Sequence, residues 1–331
     1  MKSFTIAKND AGQRLDKFIT KAVPLLPQGL MYKYIRTKRI KVNSKRSEIS
    51  YKLVEGDTVD MYINDEFFAP AKEHFDFLSA SKKLDIIYED ENILLLNKKV
   101  GLLSHPDDTE YNDTLITRVK RYLYEKGEYD PRDEQSFTPS LVNRIDRNTG
   151  GIVIAAKNAE SLRILNQKLK DRELEKYYLC VIHGSMKQKS GVLEGWLTKD
   201  EKKNGKEDLS NSIQNQKAML LQYARDHRFP HPTFFIDDGL SLVEVELLTG
   251  RTHQIRAHFA SVGHPLLGDG KYGSNALNKP LGYKKQFLYS YKLKFAFTTD
   301  AGILEYLNGR TFIAPEVWFK SEFLSGKLTK M

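Results

Sequence analysis

Leu141-Val142-Asn143-Arg144-Ile145-Asp146-Arg147-Asn148-Thr149-Gly150-Gly151, running straight into Ile152-Val153-Ile154-Ala155-Ala156, decides how the rest of this chain is read. The five residues from Ile152 form an apolar run with three β-branched side chains, which reads as a buried strand. Ahead of it, Asp146 stands between Arg144 and Arg147, and the segment breaks into a Thr149-Gly150-Gly151 turn. Flanking cations favour an ionised carboxylate and attract an anionic ligand, so Asp146 reads as a nucleophile or base in a positive setting. Asp and Asn ahead of glycines also commonly hydrogen-bond their own turn, which leaves a purely structural role open.

Working outward from that strand, the second half of the chain alternates strands and helices. Strands are expected at Leu84–Glu89, Ile93–Asn97, Tyr177–Ile182 and Ser241–Leu248, the last from its alternation of apolar residues with Glu244 and Glu246. One helix, capped by Asn112 or Asp113, runs to Tyr124 with Leu115, Ile116, Val119 and Leu123 on one face. Another, capped by Asn158, runs to Asp171. Leu103-Ser104-His105-Pro106-Asp107-Asp108 reads as a structural turn, and Glu125–Ser140 as surface loop. Between Ser185 and Asp238 the pattern fades. Lys199–Lys206 is a charge-rich turn, and Ala218–Tyr223 suits a strand or a helix equally. Order returns at Thr249-Gly250-Arg251-Thr252-His253-Gln254-Ile255-Arg256-Ala257-His258, a glycine turn entering a helix, followed by the compact loop Gly263–Gly273.

With 331 residues, 40% hydrophobic and 29% charged, two domains are expected rather than one. No apolar run approaches the roughly 18 residues that a membrane helix needs, and the charged N-terminus lacks the apolar core of a secretory signal, so the expected location is cytoplasmic. The single cysteine, Cys180, lies in an apolar strand and reads as a small core residue. The net charge is +9 and the pI 9.2. Residues 1–63 hold thirteen Lys and Arg against six Asp and Glu, nearly all of the surplus. A polyanionic partner bound by a separate basic module explains that asymmetry.

That module begins with a short strand and a helix opening at Ala11–Thr20, which Pro24 and Pro27 end. A second helix follows over Gln28–Thr37, then strands at Ile40–Asn43 and Thr58–Ile63. Lys33, Arg36, Lys38, Arg39 and Lys41 project outward almost without intervening carboxylates, as an RNA or DNA phosphate-binding face would. From Arg14-Leu15-Asp16-Lys17 through Ile40-Lys41-Val42-Asn43 to Glu55-Gly56-Asp57, residues 11–63 resemble the RNA-binding module first known from ribosomal small-subunit protein four. Asn64–Lys83 has no sustained period and reads as a linker whose aromatic residues lie partly along the second domain.

Several chemistries are weighed against the motifs. His253, His258, His264 and Asp269 are metal-ligand types, but the five-residue step from His253 to His258 suits one helical face poorly. No Gly-x-Ser-x-Gly elbow supports a serine hydrolase, and no phosphate-cradling glycine loop supports a nucleotide cofactor. Asp146 with Arg251 and Arg256 forms a charged set of another kind, since arginine can hold a carboxylate with one fork and a phosphate with another.

Asn143–Gly151, Lys176-Tyr177-Tyr178-Leu179-Cys180-Val181-Ile182-His183-Gly184, Leu248–Arg256, and Gly263-His264-Pro265 with Gly268-Asp269 and Tyr272-Gly273 together resemble the ordered motifs of the RluA family of pseudouridine synthases. The resemblance spans residues 84–325. It implies an α+β catalytic domain with a mixed, mostly antiparallel central sheet and flanking helices, joined by a linker over 64–83 to a small N-terminal α/β RNA-binding domain over 1–63. It also implies Asp146 as the catalytic aspartate, Tyr178 as the residue stacking on the target base, and Arg256 as the cation paired with the aspartate. Ile255 becomes the apolar contact to the base, and Arg144 the side chain that fills the helix gap when the nucleotide flips. Arg251, His253 and Gln254 are expected to contact substrate. Asn143 stands where many members have His and Gly150 where many have Ser, which bears on target or subgroup more than on activity.

The implied reaction isomerises uridine in RNA, with large-subunit ribosomal RNA as the expected substrate, without metal, nucleotide or redox cofactor, in a monomer. A tRNA-directed synthase, or a noncatalytic RNA-binding or ribosome-assembly factor, is the alternative.

Overall fold

In the computed structural model the apolar run of Ile152–Ala156 extends backwards through both glycines, so the strand is Gly150–Ala156 and all seven residues are buried. The structure describes residues 1–68, 75–188, 190–197, 217–225, 239–273, 278, 282–326 and 328, with backbone alone for 196–197 and 217–225.

The elements are β1 (Lys2–Thr5), α1 (Leu15–Ala22), α2 (Gln28–Arg36), β2 (Ile40–Val42), β3 (Thr58–Met61), β4 (Ile86–Glu89), β5 (Ile93–Lys98), α3 (Leu115–Glu125), β6 (Ser140–Leu141) and β7 (Gly150–Ala156). They continue with α4 (Ala159–Lys170), β8 (Leu174–His183), β9 (Ser190–Leu197), β10 (Lys217–Arg225), β11 (Leu240–Leu247), α5 (Gln254–Ser261), β12 (Leu288–Phe295) and β13 (Thr311–Ile313). Among the described residues a ten-stranded sheet runs β4-β5-β7-β12-β8-β11-β10-β9, with β13 beside β12 and β6 beside β7. Among the described residues only β7 and β12 of this sheet pair in parallel, through Tyr289–Gly150 and Ser290–Gly151; its other pairs are antiparallel. The fold is the expected α+β arrangement of a mixed, mostly antiparallel sheet with flanking helices.

That parallel seam accounts for the two glycines, which belong to the strand and not to a turn. A β-carbon on Gly151 would lie 2.0 Å from the carbonyl oxygen of Ser290, and its φ of +112° is one that other residues rarely adopt. A β-carbon on Gly150 would lie 2.5 Å from the ring of Tyr289. The absence of Ser at position 150 therefore goes together with a tyrosine filling the same space.

Other local expectations need adjustment. The cap of α3 is Thr114, which exchanges bonds with Thr117 in a capping box. Asp113 instead accepts the Ser81 amide and both arms of Arg118, which ties the preceding segment to the helix. Ala218–Tyr223 lies in a strand, paired with β9 and β11, while Lys199–Lys206 falls outside the described residues. Cys180 is fully buried, as its apolar neighbours require.

Side chains from the sheet feed two cores. One contains Ile152, Ile154, Val181, Phe295 and Phe319, and the other Val153, Tyr178, Val245, Ile255 and Phe259. A third, built from Leu15, Phe18, Ile19, Ile35, Ile40 and Val59, lies under the separate sheet β1-β3-β2. The first sixty-odd residues meet the rest through polar groups. Asn9 donates to Glu134 at 2.6 Å and accepts from the Ala159 amide at 3.1 Å, and Gln13 donates to Ser136 at 2.7 Å. Within 64–83, Phe68 packs on Phe4, and Phe75 and Phe77 pack on Tyr124 of α3. No helix among the described residues is long and apolar enough to cross a membrane.

Candidate active site

Three separate stretches of sequence converge on one pocket because their elements are neighbours in the sheet and above it. The turn before β7 supplies Arg144, Ile145, Asp146 and Thr149, β8 supplies Tyr178, the turn into α5 supplies Gly250, Arg251 and His253, and the first turn of α5 supplies Gln254, Ile255 and Arg256; Leu247 and Leu288 complete the lining.

Asp146 presents a side chain 25% exposed, and its Oδ2 accepts from Nη1 of Arg256 at 3.1 Å. His253, in the left-handed region with φ of 55°, brings its Nε2 to 3.8 Å from the same oxygen. Arg147, one of the two flanking cations, turns away and donates to the Gly101 carbonyl, whereas Arg144 lines the pocket. Tyr178 is 5% exposed, and burial, with a smaller contribution from the charge of Asp146, pushes its hydroxyl up to about 12. It therefore stays a neutral ring. Tyr178 and Ile255 together give the pocket an aromatic and an aliphatic wall beside a carboxylate.

Gln254 lines the pocket, but its carbonyl oxygen accepts from Thr249 and from the Arg251 amide, so it also ties the turn together. Arg256 is 7% exposed and is gripped from behind by Asp269, with Nε at 2.7 Å and Nη2 at 2.8 Å. Both Asp269 oxygens are thereby engaged. No group of three or more His, Cys, Asp or Glu among the described residues could hold a metal ion. His258 is buried with no hydrogen-bond partner for either ring nitrogen, and burial pushes it down to about 4.

The turn carrying Asp146 is held by polar groups around it. Ser104 donates to the Ile145 carbonyl at 3.0 Å and accepts its amide at 3.4 Å, from the loop expected to be structural. Asn143 accepts the Ile154 amide at 2.8 Å, which fastens the start of the turn to β7. Lys98, at the end of β5, is 1% exposed and donates to the carbonyls of Lys99, Leu102 and Arg147. The loop after β5 folds back over this lysine and buries it.

Burial pulls the Lys98 amine down from 10.5 to about 7, against the opposing charge of Asp146. Because the folded value is the lower, the penalty on the folded state is full below pH 7 and fades as pH rises toward 10.5. The RNA-free protein is expected to gain about 2 kcal/mol between pH 7 and 9 from this group. Lys98→Met is expected to lose that gain, as urea unfolding of both proteins across this range will show. Parallel curves would rule out the titration.

Lys33, Arg36, Lys38 and Arg39 are exposed and Lys41 half-buried; they lie on α2, the turn after it and β2, and none of them lines this pocket. Arg39 lies over Tyr34 at 5.0 Å and Lys41 over Tyr62 at 5.3 Å, so aromatic rings support two of the five cations from beneath.

Comparison with known proteins gives a consistent picture. The family model described as RNA pseudouridylate synthase matches residues 92–261. A Mycoplasma capricolum protein named as an uncharacterized RNA pseudouridine synthase is 32% identical over 321 residues, 96% of this chain and 99% of that protein. The ribosomal large subunit pseudouridine synthase C of Haemophilus ducreyi is 30% identical, over 88% of this chain and 87% of its own. In fold, the human RNA pseudouridylate synthase domain containing 1 matches with a TM-score of 0.54 at 21% identity, covering 72% of this chain and 86% of that one.

Proposed function

The chain belongs to the RNA pseudouridylate synthase family, and on that footing we propose that it isomerises particular uridines of large-subunit ribosomal RNA, with Asp146 as the reacting carboxylate. The observation that carries this assignment is the 3.1 Å bond from Arg256 to Asp146 inside a pocket that Tyr178 and Ile255 also line. The ribosomal substrate is supported by the relative named as a large subunit synthase.

In this scheme the flipped uracil lies between Tyr178 and Ile255, and Arg144 occupies the space it leaves, offsetting the few kcal/mol that unstacking costs. The bond from N1 to C1′ breaks, the ring turns, C5 bonds to C1′ and gives up its proton to water, and N1 takes up a proton; whichever atom Asp146 has bonded or deprotonated is restored as C5 joins C1′. Asp146 either attacks C1′ or removes the proton at C2′. The apolar walls hold the detached base and keep water from the sugar carbon. Residues 1–63 form the RNA-binding domain, 64–83 the linker and 84–325 the catalytic domain of a cytoplasmic monomer.

RNA carrying tritium at uridine C5 tests the reaction, since isomerisation releases the label to water; its retention in bulk cellular RNA would refute the assignment. Mapping pseudouridines in a deletion strain tests the substrate, and losses confined to tRNA would transfer it. For the N-terminal face, replacing Lys33, Arg36 and Lys38 together by Ala is expected to weaken RNA binding about 10-fold and to reduce the salt slope of log K by about 2, with the rate at saturating RNA unchanged. An unaltered slope would place RNA elsewhere.

A further inference from the structure

Arg256 is held between two carboxylates, and the one facing away from the pocket has the firmer grip. Asp269 is fully buried and takes Nε and Nη2 at 2.7 and 2.8 Å, against the single 3.1 Å bond from Nη1 to Asp146. Its own position is set independently of Arg256. The amides of Lys271 and Tyr272 donate to its side chain at 2.8 and 3.0 Å. Asn278 donates to its carbonyl at 3.0 Å and accepts from the Gly268 amide at 3.0 Å. The preceding backbone is locked as well, because a β-carbon on Gly268 would lie 2.1 Å from the Lys285 carbonyl oxygen.

A guanidinium offers its N–H groups in one rigid plane, so the partner that takes a parallel pair fixes the direction of the remaining arm. We propose that Asp269 is a positioning residue that aims one N–H of Arg256 at Asp146 and offsets the guanidinium charge, leaving the other Asp146 oxygen for the substrate. Without Asp269 the fork is free to turn and chelate both oxygens of Asp146, the arrangement that arginine and carboxylate otherwise favour. The remaining cations near Asp146, Lys98 and Arg144, lie on other elements, and the ring of His253, at the start of α5, faces Asp146 at 3.8 Å and does not set that plane. The inference rests on the assignment of Asp146 as the reacting group.

Single-turnover tritium release from saturating RNA is expected to fall about 100-fold in Asp269→Asn, with the Kd for RNA within about twofold of the parent, and Asp269→Glu is expected to recover to within about 10-fold. A rate unchanged per folded molecule, an equal loss of affinity, or a Glu variant no better than Asn would overturn the proposal. Should Asp269→Asn fail to fold, hydrogen exchange at Arg256 Nε in Asp146→Asn decides. Protection retained shows that Asp269 holds the guanidinium, and exchange as fast as in free arginine refutes it. An Asp146→Asn protein that still releases tritium defeats the functional assignment instead; an inactive one beside an unimpaired Asp269→Asn defeats only this inference.

Discussion

Asp146→Asn is expected to lower tritium release from C5-labelled RNA by at least ~10⁴-fold, while RNA affinity stays within about twofold and the protein remains folded. The substitution keeps an acceptor oxygen for Arg256 and a side chain of the same shape, and removes only the charge. With 25% of the side chain exposed and one arginine bond at 3.1 Å, the carboxylate has little packing for Asn to disturb. Whether the carboxylate attacks C1′ or takes the C2′ proton, an amide can do neither. In the scheme proposed above the RNA is held chiefly by Arg144 and the face from Lys33 to Lys41, so the loss is expected in the rate at saturating RNA and not in affinity. Multiple turnovers by Asp146→Asn would remove this residue from the chemistry.

Gly151→Ala is expected to destabilise the protein by at least ~3 kcal/mol. The new carbon would sit 2.0 Å from the Ser290 carbonyl oxygen at a φ of +112°, so neither space nor backbone accommodates it. Relief requires β7 and β12 to part along the two residue pairs that join them, and the turn bearing Asp146 leads directly into that seam. Activity should therefore fall beyond the loss of folded protein. Gly250→Ala serves as the comparison: nothing lies within 4 Å of the added carbon, and its stability is expected to change by less than about 0.5 kcal/mol. Equal urea midpoints for the two variants would refute the account of the seam.

Periodicity made most elements legible. Strict alternation located β11 to within one residue at each end, and the spacing of Leu115, Ile116, Val119 and Leu123 located α3. Both signals record local burial, which the order of residues preserves. The site was legible only in part. Asp146, Tyr178 and Arg256 are far apart in the chain, and nothing local links them; ordered motifs, through their family resemblance, brought them together. Lys98 and Ser104 escaped because their partners are backbone carbonyls and an amide of another loop, which leave no residue type to recognise. Asp269 was noticed for the wrong chemistry, as a ligand type near histidines, since sequence does not show which way a carboxylate in a glycine loop faces. Gly150 and Gly151 read as a turn because glycine permits turns; the close approach of β12, more than a hundred residues later, is the actual demand.

The hydrogen bonds that join the first sixty residues to the domain beyond residue 84 include those made by Asn9, Gln13, Glu134, Ser136 and a helix-end amide. Such a joint resembles the surface of a transient complex more than a shared core. Each part carries its own hydrophobic interior, so mutations can accumulate in one without unsettling the other. On the function proposed above, target choice and chemistry become separable: exchanges on the basic face are expected to change RNA affinity while the pocket around Asp146 stays intact.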